Sequence, residues 1–96
     1  MDIETEKLAA LFKALSEPVR LRLLERLPHA DQPGEVSVCE LAESLDIPQP
    51  NVSHHLAILK AAGLVRCSKE SCKCFYSVDT DALEAAFAAL RAKVEQ

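Results

Sequence analysis

A chain of 96 residues with a net charge of −4 supports one domain, expected over residues 1–96, whose core is only marginally self-sufficient at that size. The negative balance argues against an unspecific nucleic-acid coat, which draws on clustered Lys and Arg, but leaves room for a localised basic face. No apolar stretch approaches the roughly 20 residues that span a bilayer, and Met1 is followed by acids rather than a basic leader. The expectation is therefore a cytoplasmic protein with no membrane partner, whose four cysteines are thiols rather than a disulfide framework.

Leu8, Leu11, Phe12 and Leu15 recur at helical spacing near the start, which predicts an amphipathic helix. The stretch Pro28 to Glu35 is the one evident loop, leading into a short strand around Val36 that is placed to pair with a later hairpin. Ser37-Val38-Cys39-Glu40 is a capping box, in which the serine and the glutamate satisfy each other's orphan backbone N–H groups. The helix it opens has a core face of Val38, Leu41, Ala42 and Leu45. After the turn at Asp46 to Pro50, Val52, Leu56 and Leu59 repeat at spacings of four and three up to a stop at Gly63. Pro48 and Pro50 are tolerated there because first-turn N–H groups lack an intrahelical partner.

That pattern leaves Gln49, Asn51, Ser53, His54 and Lys60 facing outward. Amide, hydroxyl, imidazole and ammonium groups near the start of a second helix are the vocabulary of groove recognition, so residues 41–65 read as a helix-turn-helix. The same pattern also describes an ordinary solvated helix face. His54 and His55, about 100° apart on a helix, do not converge as ligands; one faces DNA and the other is partly packed, while His29 belongs to the loop.

From Leu64 to Val78, Val, Phe and Tyr alternate with polar residues around a break at Glu70-Ser71, the signature of a β-hairpin. A hairpin directly after a helix-turn-helix is the wing of a winged helix. Lys60, Arg66, Lys69 and Lys73 have only Glu70 as a nearby acid in sequence, and no acid occurs between Ile47 and Lys69. The anion-tolerant surface thus falls on the second helix and the wing. Leu83, Ala86, Phe87, Leu90 and Val94 form a last stripe, which either closes the chain's own core or packs across a dimer axis. The fold class is mainly α with a small β-hairpin (α+β), a winged helix-turn-helix.

With Glu70 and Ser71 as turn residues, Lys69 faces Cys72, and Cys67 faces Cys74. Side chains alternate with period two, so Cys67, Cys72 and Cys74 share one face. Three converging sulfurs suit a soft ion that accepts three thiolates. Zinc is less well served, because a closed site wants four ligands and the hairpin holds no histidine. Cys39, second in its helix, sits where backbone N–H groups favour a thiolate. A thiol-exchange enzyme is disfavoured: there is no Cys-x-x-Cys, only two glycines, and no nucleophile paired with a base. An interaction module with structural zinc is a further alternative.

The blocks Ala14 to Leu24, Ser37 to Ala42, Gln49 to Leu56 and Leu59 to Val65 resemble the ArsR/SmtB family of metal-responsive winged-helix repressors over nearly the whole chain. The resemblance implies a homodimer, packed through its terminal helices, that binds double-stranded operator DNA and leaves it when an inducer binds. Among the family's inducers, trivalent arsenic or antimony matches the sulfur set of Cys67, Cys72 and Cys74, with Cys39 as a further candidate. Arsenic-responsive relatives often carry Cys-Val-Cys where this chain has Ser37-Val38-Cys39, so one ligand of that helix site is missing and the hairpin is favoured. The family's last-helix site uses carboxylates and histidines, and residues 79–96 hold no histidine. Family wings often place Gly-Arg at the tip where Ser71-Cys72 stand here, so Lys69 and Lys73 supply the cationic contact. The alternative to an ion is thiol redox sensing, by persulfide or by a Cys67–Cys74 disulfide in the same fold.

Overall fold

The computed structural model describes residues 4–29, 36–71 and 73–96. Its elements are α1 (Thr5–Leu15), α2 (Pro18–Arg26), α3 (Val38–Leu45), α4 (Gln49–Ala61), β1 (Val65–Glu70), β2 (Lys73–Val78) and α5 (Thr80–Val94). Most of the expected loop, residues 30–35, lies outside the described residues.

The helix boundaries follow from local chemistry. Pro18 takes the first position of α2, and the Glu17 carboxylate caps it by accepting from the N–H groups of Val19 at 2.7 Å and Arg20 at 3.2 Å. The box at Ser37 forms as read: Ser37 Oγ accepts from the Glu40 N–H, and Glu40 accepts from the Ser37 N–H. Asp46 ends α3 in the left-handed region at φ 54°, and Gly63 does the same after α4 at φ 79°. Each stop is closed by a crossed pair of backbone bonds, Ile47 N–H to Ala42 with Asp46 N–H to Glu43, and Leu64 N–H to Leu59 with Gly63 N–H to Lys60. These are Schellman closures.

The centre of the core is α4. Val52, Leu56 and Leu59 are wholly buried, and Leu23, Leu41 and Leu64 close over them from α2, α3 and the chain leading into β1. Leu8 and Leu11 of α1 join this same core, so the first stripe is used largely within the chain. The last stripe divides. Ala86 is fully buried, but Phe87, Leu90 and Val94 stay open at 50%, 40% and 76% exposure. Phe12 meets the Phe87 ring edge to face at 6.0 Å, joining the two terminal helices. No helix among the described residues is long and apolar enough to cross a membrane.

The hairpin is antiparallel, with Val65 opposite Val78 at its base and Glu70 opposite Lys73 at its far end. Ser37 adds an antiparallel bridge to Phe75, which among the described residues is what stands for the short strand expected around Val36. The expected register is corrected by two residues. Glu70 is the last residue of β1, not part of the turn, and Lys69 faces Cys74 while Cys67 faces Tyr76. The physical reason is visible in the pairing: this register sets Glu70 against Lys73, an opposite-charge cross-strand pair that a turn at 70 and 71 would forfeit. Ser71, at φ 49°, supplies the left-handed residue that a two-residue hairpin connection requires.

Because Leu56 is completely enclosed, Leu56→Ala is expected to lower unfolding free energy by about 2–5 kcal/mol, measured by urea denaturation.

Candidate nucleic-acid interface and thiol site

The side chains expected to meet DNA are where the α4 pattern places them. Gln49, Asn51, Ser53, His54 and Lys60 are all exposed, opposite the buried Val52, Leu56 and Leu59. At about 100° per residue, Gln49, Ser53 and Lys60 line one edge of that surface and Asn51 and His54 the other. The small side chains of Ala57 and Ala61 separate them. The first turn of α4 carries no acid, and no side chain caps it. His55, by contrast, is half-buried and accepts a hydrogen bond at Nδ1 from Arg20 Nε at 3.2 Å.

The wing cations are placed differently from one another. Lys69 stands opposite Cys74 and Lys73 opposite Glu70, and alternation along the strands puts these pairs on opposite faces of the ribbon. Arg66 sits near the hairpin base, where Nε and the second terminal nitrogen both reach Asp79 Oδ2 at 3.1 Å. Its guanidinium is thus engaged by an acid that sequence proximity did not suggest. Asp79 also caps α5 by accepting from the Ala82 N–H at 3.0 Å. That bond, reinforced by Arg66 and opposed by partial burial, holds its carboxyl below the usual carboxylate value.

Val65, Cys67 and Lys69 share a face with Val78, Tyr76 and Cys74. The face begins in the core at Val65 and Val78 and becomes more open toward the tip, with Cys67, Cys74 and Tyr76 half-buried. A two-residue shift in register preserves side-chain parity, so Cys67 and Cys74 keep a common face but become diagonal instead of directly opposed. Their thiols remain near enough to act on each other's titration. A hydrogen bond to Cys67, then burial and the charge of Cys67, push the Cys74 thiol up, against the opposing pull of Lys69 and Lys60. Burial first, then the charge of Cys67, a hydrogen bond to it and the charge of Cys74, raise the Tyr76 phenol. Tyr76 was missed by sequence reading, although alternation from Cys74 would have found it. The influence of Lys60 shows that the thiol face lies within electrostatic reach of the end of α4.

Cys72, the third sulfur of the expected set, lies outside the described residues. Cys39 is exposed at the second position of α3. Among the described residues, no three His, Cys, Asp or Glu side chains form a metal-holding group. What they provide is two cysteines on one wing face, Cys67 and Cys74, donor chemistry that suits a soft thiophilic ion and falls short of a closed zinc site.

This arrangement has close counterparts. A helix-turn-helix domain model matches residues 15–68. The uncharacterized HTH-type transcriptional regulator MJ1325 of Methanocaldococcus jannaschii is 43% identical over 79% of this chain and 82% of its own length. The transcriptional repressor SmtB homolog of Synechocystis is 33% identical over 78% of this chain and 54% of its own. The solved ArsR-like transcriptional regulator from Rhodococcus sp. RHA1 superposes with a TM-score of 0.79 at 28% identity, covering 94% of this chain and 82% of that one. The chain belongs to the ArsR/SmtB family. This ArsR/SmtB protein is thus a DNA-binding transcriptional repressor, not an enzyme, and its hairpin is the wing of a winged helix-turn-helix.

The depressed Asp79 carboxyl carries a signed consequence for this repressor. A lowered folded-state value stabilises the fold above the ordinary carboxylate value of 3.8 and ceases to do so as pH falls through the folded value. Replacing Asp79 with Ala, which also removes the α5 cap, is expected to cost roughly 0.5–2 kcal/mol at pH 7. The gap between parent and D79A melting temperatures should narrow as pH is lowered below 3.8, checked by circular dichroism from pH 7 downward.

Proposed function

We propose that this repressor binds operator DNA as a homodimer and is released when trivalent arsenic or antimony is captured by Cys67, Cys74 and Cys72. The single observation that carries the reading is that Cys67 and Cys74 share one wing face as diagonal neighbours, near enough to shift each other's titration and within electrostatic reach of Lys60 at the end of α4. Arsenous acid and three thiols give a trithiolate and three waters, so capture needs no oxidant and no acquired net charge. It fixes three sulfurs around one centre and thereby constrains the turn between β1 and β2. The wing and Lys60 both belong to the DNA-facing surface, so such a constraint acts where the operator is held. Cys39 enters the proposal only as a secondary ligand from α3. Zinc is less well served, for want of a fourth ligand.

The pairing register weighs between an ion and a disulfide. Diagonal residues on an antiparallel pair stand roughly 7–8 Å apart, whereas a relaxed disulfide wants Cβ atoms near about 3.8 Å. A bridging ion spans the larger gap, with sulfurs at about 2.3 Å on either side if its bonds are like those of zinc. A Cys67–Cys74 disulfide would demand backbone movement, which sets the redox alternative behind the metalloid.

The homodimer reading is supported by the uncovered Phe87, Leu90 and Val94 on α5. A Mycobacterium bovis winged helix-turn-helix domain with a TM-score of 0.70 to this chain is described as homodimeric. The operator is reached from α4 through Gln49, Asn51, Ser53, His54 and Lys60, and from the wing through Lys69 and Lys73. Arg66 contributes from the wing base, to the extent that Asp79 leaves its exposed guanidinium free. A protein with this task works in the cytoplasm, beside the DNA.

Fluorescence anisotropy on a labelled duplex from the repressor's own promoter tests the inducer. Arsenite should release the reduced protein, while Cys74→Ser should bind the duplex as the parent does and fail to respond. Unchanged duplex affinity of the reduced parent in arsenite overturns the metalloid assignment. For the assembly, light scattering should find the parent at twice its chain mass and Leu90→Glu shifted toward monomer. A parent that runs as a monomer at micromolar concentration would remove the dimer.

A further inference from the structure

His55 is the polar residue of α4 that turns inward, and Arg20 holds it there. The guanidinium donates through Nε to His55 Nδ1 at 3.2 Å and through a terminal nitrogen to the Ala14 carbonyl at 3.1 Å. Ala14 lies in the last turn of α1, Arg20 in the first turn of α2 and His55 in the middle of α4, so one side chain ties three helices together. Arg20 is itself anchored, because its backbone N–H donates to the Glu17 carboxylate at 3.2 Å. That same carboxylate oxygen stands 4.0 Å from His55 Nδ1.

Apolar burial of Val52, Leu56 and Leu59 fixes how deeply α4 sits. It is non-directional, however, and defines the rotation of the helix about its axis only through shape. A hydrogen bond on the flank is directional. His55 occupies that flank, between the buried stripe and the edge that carries Asn51, and is the chain neighbour of His54. Accepting at Nδ1 also requires that ring nitrogen to be unprotonated, which places the neutral imidazole proton on Nε2.

We propose that Arg20 is a positioning residue for DNA recognition, setting the rotation of α4 through His55 and so the aim of Asn51 and His54. Arg20→Met and His55→Leu should each weaken binding to a duplex from the repressor's own promoter about tenfold relative to a scrambled duplex, the scale of one lost charge-assisted hydrogen bond. The double variant should lose no more than either alone, since both remove one interaction. His55→Gln, which keeps an acceptor, should recover most of the affinity. The slope of affinity against salt should be the same in Arg20→Met as in the parent, because no phosphate contact is lost. Parent-like discrimination in both single variants, additive losses in the double, or a shallower salt slope for Arg20→Met would overturn the proposal. If Arg20→Met fails to fold, long-range proton–nitrogen NMR of the parent still decides it. A protonated Nδ1 on neutral His55 contradicts the clamp, and an Nε2–H tautomer upholds it.

Discussion

The complete burial of one side of α4 is the constraint on which the rest of the molecule hangs. Val52, Leu56 and Leu59 have no exposure at all, and the helices and hairpin around them are arranged to close over that stripe. An aliphatic row sunk this far leaves the opposite side of the helix in water, and the residues there are amide, hydroxyl, imidazole and ammonium groups without a carboxylate. The polar surface of α4 is in this sense the remainder of a packing solution. Its depth is set by the hydrophobic effect, at roughly 1.5–3 kcal/mol for each large aliphatic side chain taken from water, and its composition is left to sequence.

What could be read in advance divides along physical lines. Features governed by local rules were legible: the capping box at Ser37, the stop at Gly63, the spacing of Val52, Leu56 and Leu59, the outward polar set and the half-packed His55. Those that depend on non-local pairing were not. The turn was placed at Glu70-Ser71 because both are polar, whereas the ladder extends β1 to Glu70 and sets it opposite Lys73. Composition alone does not distinguish two registers that differ by an even number of residues, since both keep the same side chains on the same face. Arg66 illustrates the same limit. Glu70 is its one nearby acid in sequence, but the fold brings Asp79 to it across the base of the hairpin. The start of α2 was readable in principle, since Pro18 fits a first helical position, yet its cap is Glu17, a residue outside the usual Ser, Thr, Asp and Asn set.

The wing carries two kinds of chemistry on a ribbon six residues long in each strand. Its core-side face runs from Val65 and Val78 through Tyr76 and Cys67 to Cys74 and Lys69, a gradient from apolar to thiol to cation. The other face runs through Phe75 and Ser68 to Lys73 and Glu70. This order places the sulfurs between the part of the ribbon that packing holds still and the part that reaches outward. Any event that redraws their geometry is therefore felt at the outer end while the inner end stays fixed.

Ser37 holds two posts at once, and the pairing joins them. Its hydroxyl and backbone N–H close the first turn of α3, while its backbone forms an isolated bridge to Phe75 on the free edge of β2. The first helix of the helix-turn-helix and the wing consequently share Ser37 as a junction. A twist of the ribbon does not stop at the sheet edge; it is handed to the helix that braces α4 from behind.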